Sequence, residues 1–114
     1  EEPINLADVL ARFNDRDYCI LIDCLTLWLC NCLIGGDEQV WELERDRFLK
    51  ALPGLKANII MVGNEVGGGI VPLGALNRKF VDESGRLHQD LGKICDRVIL
   101  TAAGLPLVLK GEPL

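Results

Sequence analysis

Two short apolar runs, residues 18–22 and 58–62, constrain this chain more than any other feature. Neither contains a charge, and each stops at a polar turn: Asp23 after the first, Gly63-Asn64-Glu65 after the second. Short uncharged runs without polar alternation predict strands buried on both faces, as in parallel sheets. Parallel strands need a crossover, and the intervening residues carry two helical patterns. Strands alternating with helices predict an α/β fold, a mainly parallel sheet flanked by helices.

The remaining segments fit that frame. Asn5 stands where an N-cap belongs, with Asp8 in the first turn and Leu6, Val9, Leu10 and Phe13 at helical spacing, so a first helix should stop near Asn14-Asp15. Residues 24–34 are apolar nearly all round, which predicts an interior helix. After Gly35-Gly36-Asp37, residues 38–52 form an amphipathic pattern with Trp41, Phe48 and Leu52 on one side, stopped by Pro53-Gly54. A glycine-rich turn, Val66-Gly67-Gly68-Gly69, leads through Pro72 into a long helix over about 74–94, with Leu76, Phe80, Leu87, Leu91 and Ile94 as its core positions. Residues 97–101 read as a third strand. Ala103-Gly104 turns the chain into an edge strand at 107–110, too close for a crossover and therefore an antiparallel hairpin.

Composition narrows the function classes. The chain has 114 residues, 49% hydrophobic and 25% charged, enough for one packed domain. A net charge of −5 and no basic stripe argue against a nucleic-acid partner. The longest apolar run, 24–34, is broken by Thr26 and Asn31 and falls short of the roughly 18 residues of a membrane span. With no signal peptide either, a soluble cytoplasmic protein is expected. Cys19, Cys24, Cys30, Cys32 and Cys95 form no Cys-x-x-Cys pair. Cys30 and Cys32 would lie about 200° apart on a helix, unable to share a metal. Buried reduced thiols are the expectation. The chain opens Glu1-Glu2-Pro3 without Met, so a piece of a longer protein, and not a native start, is expected.

Asp23 is the first candidate for chemistry. An acid at the carboxyl end of an apolar strand has the form of a Walker B element, whose carboxylate holds Mg²⁺ beside nucleotide phosphates. Many strands also end in Asp as a turn or cap, so the motif alone is weak. Asn64 and Glu65 would sit beside Asp23 if the two strands are neighbours, and could sense a γ-phosphate or polarise an attacking hydroxyl; otherwise they simply open a loop. Gly67-Gly68-Gly69 lacks the Gly-Lys-Ser/Thr of a phosphate cradle and fits a turn or substrate-facing loop better. Arg78, Asp82, Arg86 and Asp90 recur every four residues, as a surface salt-bridge ladder or as phosphate and subunit contacts. His88, the single histidine, reads as an ordinary helix residue and not a nucleophile.

Several segments together resemble one family. Residues 20–29, Ile-Leu-Ile-Asp-Cys-Leu-Thr-Leu-Trp-Leu, are similar to its Walker B strand and following helix. Residues 64–72, Asn-Glu-Val-Gly-Gly-Gly-Ile-Val-Pro, resemble its Asn-Glu-Val-Gly-x-Gly-Ile-Val-Pro signature. Residues 78–82 and 85–87 resemble the next helix, and 103–107 the closing hairpin. Glu1-Glu2-Pro3 resembles the end of a Trp-x-Thr-x-Glu-Glu-Pro stretch. The family is adenosylcobinamide kinase/adenosylcobinamide-phosphate guanylyltransferase, and the resemblance covers essentially the whole chain.

That resemblance implies a RecA-like P-loop NTPase fold, of which residues 1–114 would be the C-terminal portion. It implies two reactions: phosphorylation of adenosylcobinamide by ATP or GTP, then transfer of GMP from GTP to adenosylcobinamide phosphate through a guanylyl-histidine. Glu1, Asp23, Asn64 and Glu65 would contact or line the nucleotide site, Asp23 also holding Mg²⁺, and the assembly would be a homotrimer. The family's phosphate-binding loop and guanylylated His would lie upstream of Glu1, leaving no catalytic residue in this piece. Gly68 replaces a larger residue, and His88 stands where the family has Asn. A non-catalytic assembly remnant and a different P-loop kinase are the competing readings. Because positioning and electrostatics supply most phosphoryl-transfer catalysis, the 114-residue piece alone is expected to show no turnover of adenosylcobinamide when assayed with ATP or GTP.

Overall fold

The computed structural model describes residues 2–34, 38–66 and 74–114. Along the chain run α1 (Leu6–Arg12), β1 (Cys19–Asp23), α2 (Leu25–Ile34), α3 (Glu38–Ala51), a 3₁₀ turn (Leu52–Gly54), β2 (Asn58–Val62), α4 (Ala75–Ile94), β3 (Val98–Ala102) and β4 (Leu105–Lys110). The class is mixed α/β, with a parallel pair and an antiparallel hairpin. Strands β1 and β2 pair in parallel from Cys19↔Asn58 to Asp23↔Val62, and α2 and α3 supply the crossover. Strands β3 and β4 form a separate two-stranded sheet among the described residues, not an extension of the first.

Burial on both faces of β1 and β2 is not what the structure shows. Ile22 is buried, and Ile20, Ile59 and Met61 pack on the helical core. Leu21 and its partner Ile60, on the other face, are 62% and 54% exposed. Side chains alternate across a strand, and among the described residues helices cover one face only. The same one-sidedness corrects α2. Leu25, Trp28, Leu29, Cys32 and Leu33 are buried, but Leu27 and Ile34 face outward.

The core is centred on Trp28, Trp41 and Phe48. Both other rings meet Trp28 edge-on, with centroids 5.1 Å away for Trp41 and 5.0 Å for Phe48, the arrangement aromatic quadrupoles favour. Each indole N–H has an acceptor. Trp28 Nε1 donates to the Ile4 carbonyl at 2.8 Å, and Trp41 Nε1 donates to Glu83 Oε2 at 2.9 Å. Asn31 Nδ2 donates to the Pro3 carbonyl, so α2 ties down the chain entering α1. Asn5 occupies the N-cap position of α1 without a side-chain cap; Glu2 Oε1 instead accepts the N–H groups of Ile4 and Asn5.

Helix α4 buries Leu87 and Leu91 as expected, but Leu76 and Ile94 are exposed and Glu83 and Ser84 take the inner positions. Glu83 is 2% exposed and is ringed by cations: Arg86 at 2.9 Å, Arg45 at 3.5 Å and Lys79 at 3.6 Å. These contacts replace the expected Arg78-Asp82-Arg86-Asp90 ladder. Ion pairing follows the buried carboxylate because an unpaired charge there would be costly. Glu44, also buried, takes Arg47 on Oε1 at 2.9 Å, while its Oε2 has no hydrogen-bond partner among the described residues.

The hairpin turns through Ala103 (φ 52°) and Gly104 (φ 75°), left-handed values that suit a two-residue turn between twisted strands. Lys110 Nζ donates to the carbonyls of Gly92 and Lys93, closing the end of α4. Of the five thiols only Cys32 is buried, and burial, aided by Glu44, pushes it up to about 11. Cys19 is exposed and the other three are half-buried, because strand and helix each leave one face open.

Glu83 makes the packing of α3 on α4 sensitive to pH. Burial pushes its carboxyl up, but the Trp41 N–H together with Lys79, Arg86 and Arg45 outweighs burial and holds it below the ordinary 4.5. Its stabilisation is therefore present above that value and is lost as pH falls through the lower folded value. Glu83→Gln should cost about 2 kcal/mol at neutral pH. Urea midpoints should show the gap to wild type narrowing as pH falls below 4.5, through the lowered folded value.

Candidate nucleotide site

The site is built where β1 and β2 end together. The register pairs Asp23 with Val62, so Gly63, Asn64 and Glu65 leave β2 at the same end of the sheet as the Asp23 carboxylate. Carboxyl ends of parallel strands are where open α/β sheets collect ligands. Asp23, Asn64 and Glu65 are all exposed there, and the condition left open by the sequence, that the two strands be neighbours, is met. Glu1 lies outside the described residues, as do Gly67-Gly68-Gly69 and Pro72 of the signature segment.

Helix α2 begins two residues beyond Asp23, at Leu25, and its first turn organises the site. Cys24 acts as its cap: the Leu27 N–H donates to Cys24 Sγ at 3.4 Å and the Trp28 N–H to the Cys24 carbonyl at 3.2 Å. Thr26 reaches sideways, and its Oγ1 accepts the Asn64 N–H at 2.8 Å. That hydrogen bond joins the turn after β2 to the helix after β1, holding the two strand ends in one unit. Thr26 had no assigned role in the sequence, since a hydroxyl in a first helical turn usually serves its own helix.

From α4, His88 completes the rim. Its Nδ1 lies 3.8 Å from Glu65 Oε2. On its other side the ring crowds Gly63, where a Cβ would meet His88 Nε2 at 3.1 Å and Leu25 Cβ at 3.6 Å. Gly63 is thus suited to its position by space. The glycine beside Asn64 was the available sign of a close approach, but the sequence does not say which side chain approaches.

A metal site made by protein alone is not present among the described residues, which hold no cluster of three or more His, Cys, Asp or Glu side chains. A single exposed carboxylate is nonetheless a donor set that fits Mg²⁺, which takes one or two carboxylates and completes its octahedron with waters and substrate phosphates. No helix among the described residues is long and apolar enough to cross a membrane.

Comparison with known proteins decides the family. A model described as cobinamide kinase / cobinamide phosphate guanyltransferase matches residues 1–109. The chain belongs to this family. Among curated relatives it is 51% identical to the bifunctional adenosylcobalamin biosynthesis protein CobP of Pseudomonas aeruginosa, over all of this chain and 66% of that protein. It is 35% identical to CobU of Salmonella typhimurium, over 82% of this chain and 59% of the relative, and 33% identical to CobU of Escherichia coli. Both CobU proteins share the bifunctional name, and the chain spans a little under two thirds of the lengths of these relatives.

The Thr26 bridge gives this family member a testable joint. Thr26→Val keeps the shape but removes the acceptor, at an expected cost of about 0.5–1 kcal/mol. Hydrogen exchange of the Asn64 amide should accelerate, while the amides of the β1–β2 ladder keep their protection.

Proposed function

We propose that the whole protein phosphorylates adenosylcobinamide with ATP or GTP and then transfers GMP from GTP to adenosylcobinamide phosphate. Family membership supports the reaction class, and the 51% identity to a bifunctional adenosylcobalamin biosynthesis protein supports the pairing of the two steps. The observation that carries the nucleotide site is the shared strand end, with Asp23 closing β1 beside the Asn64-Glu65 turn that follows β2.

In this proposal residues 1–114 are the C-terminal portion of one nucleotide-binding domain with a RecA-like P-loop fold. Glu1, Asp23, Asn64 and Glu65 contact or line the bound nucleotide. Asp23 would hold Mg²⁺, which neutralises charge on the phosphates when bound. Asn64 and Glu65 face the transferring group from the second strand, where an amide can donate to a phosphate oxygen and a carboxylate can orient the attacking hydroxyl. The Thr26–Asn64 bond keeps that turn in register with Asp23, and preorganisation of this kind is worth most where charge develops. The resemblance further supports a cytoplasmic homotrimer.

Asp23→Asn in the full-length protein is the direct test. The amide keeps the shape but not the charge, so folding should persist while nucleotide-dependent activity falls by about two orders of magnitude. Circular dichroism would verify the fold, and rates at limiting Mg²⁺ would verify the role. A variant with wild-type rates under those conditions would refute the assignment of Asp23.

A further inference from the structure

Resting on that nucleotide-site reading, we propose that His88 is a positioning residue, which holds the Glu65 carboxylate in the orientation the site uses. The imidazole stands between two parts of one turn. Nδ1 lies 3.8 Å from Glu65 Oε2, and Nε2 lies against the Gly63 backbone, where even a methyl group would stand 3.1 Å away. Leu25, which precedes the bridging Thr26 on α2, closes the same space beside Gly63.

The ring is anchored from behind. His88 follows Leu87, 1% exposed, and precedes Leu91, 5% exposed, on the helix that Glu83 fastens to α3. Its side chain is 29% exposed, against 56% for Glu65. An exposed carboxylate at the rim thus meets a partner whose own position is set by the core. Holding a long side chain in one rotamer otherwise costs conformational entropy at each binding event. His88 bears on the site through Glu65 and need touch neither nucleotide nor cobinamide.

The experiment is a double-mutant cycle on the full-length protein, combining His88→Leu with Glu65→Gln and adding His88→Asn as the conservative variant. Turnover of adenosylcobinamide with GTP and thermal unfolding are both measured. His88→Leu should lower kcat about two- to fivefold, the worth of a partly exposed pair. The double variant should be no slower than Glu65→Gln alone, because the lost contact is shared. His88→Asn should recover most of the rate, since an amide there can offer Glu65 a donor. A merely structural role would not give that rescue together with non-additivity.

Additive losses, or wild-type rates in His88→Leu while Glu65→Gln is impaired, would overturn the positioning role and leave the site reading intact. Wild-type rates in Glu65→Gln would remove Glu65 from the site and the role of His88 with it. If His88→Leu loses cooperative unfolding, Gly63→Ala presses the ring from its other side, and its loss of rate should likewise vanish in the Glu65→Gln background. An undiminished Gly63→Ala loss in that background would overturn the proposal.

Discussion

Burying two tryptophans in a small α/β unit obliges each indole N–H to find an acceptor inside the protein, and that obligation organises the rest of the structure. Trp41 takes the Glu83 carboxylate and Trp28 the Ile4 carbonyl. The first contact draws a charged group of α4 into the interior; the second fixes the chain entering α1. Neither is optional, because an unpaired polar group in an apolar core costs on the order of 1–3 kcal/mol. Glu83 then needs cations of its own, and Arg45, Lys79 and Arg86 converge on it from α3 and α4.

This scaffold reaches the site through α4. The helix fixed at Glu83 carries His88 just over one turn further on, facing the turn after β2. From the opposite side, the first turn of α2 reaches the same turn through Thr26. The turn that closes β2 thus meets two helices, and both helices rest on the same aromatic cluster. Binding residues on short turns are useful when a rigid scaffold presents them.

The outer face of the parallel pair follows the opposite logic. Leu21 and Ile60 stand exposed side by side, and Asp23 closes the same face of β1. Their apolar character shows why residues 18–22 and 58–62 resemble doubly buried strands. A run without alternation reports that both faces are apolar, but not that both are covered by the residues at hand. Residue 34 on α2 and residue 76 on α4 show the same gap between apolar character and burial.

Local physics was legible in the sequence. Every described helix and strand falls within a few residues of its expected place, because hydrophobic period, Pro53-Gly54 and Ala103-Gly104 act over short distances. The parallel direction of the first two strands and the closing hairpin were readable as well, since connection length decides strand direction, but that β1 and β2 are neighbours was not. Tertiary structure alone decided that β3 and β4 pair apart from β1 and β2 among the described residues, that Glu83 and not Leu76 faces inward on α4, that Thr26 serves a neighbouring turn, and that His88 stands against Glu65 and Gly63. Each of these depends on which partner a side chain meets across a long loop of chain. Spacing along the chain records the period of an element and not its neighbour, so partners of this kind become visible only once the helices are packed.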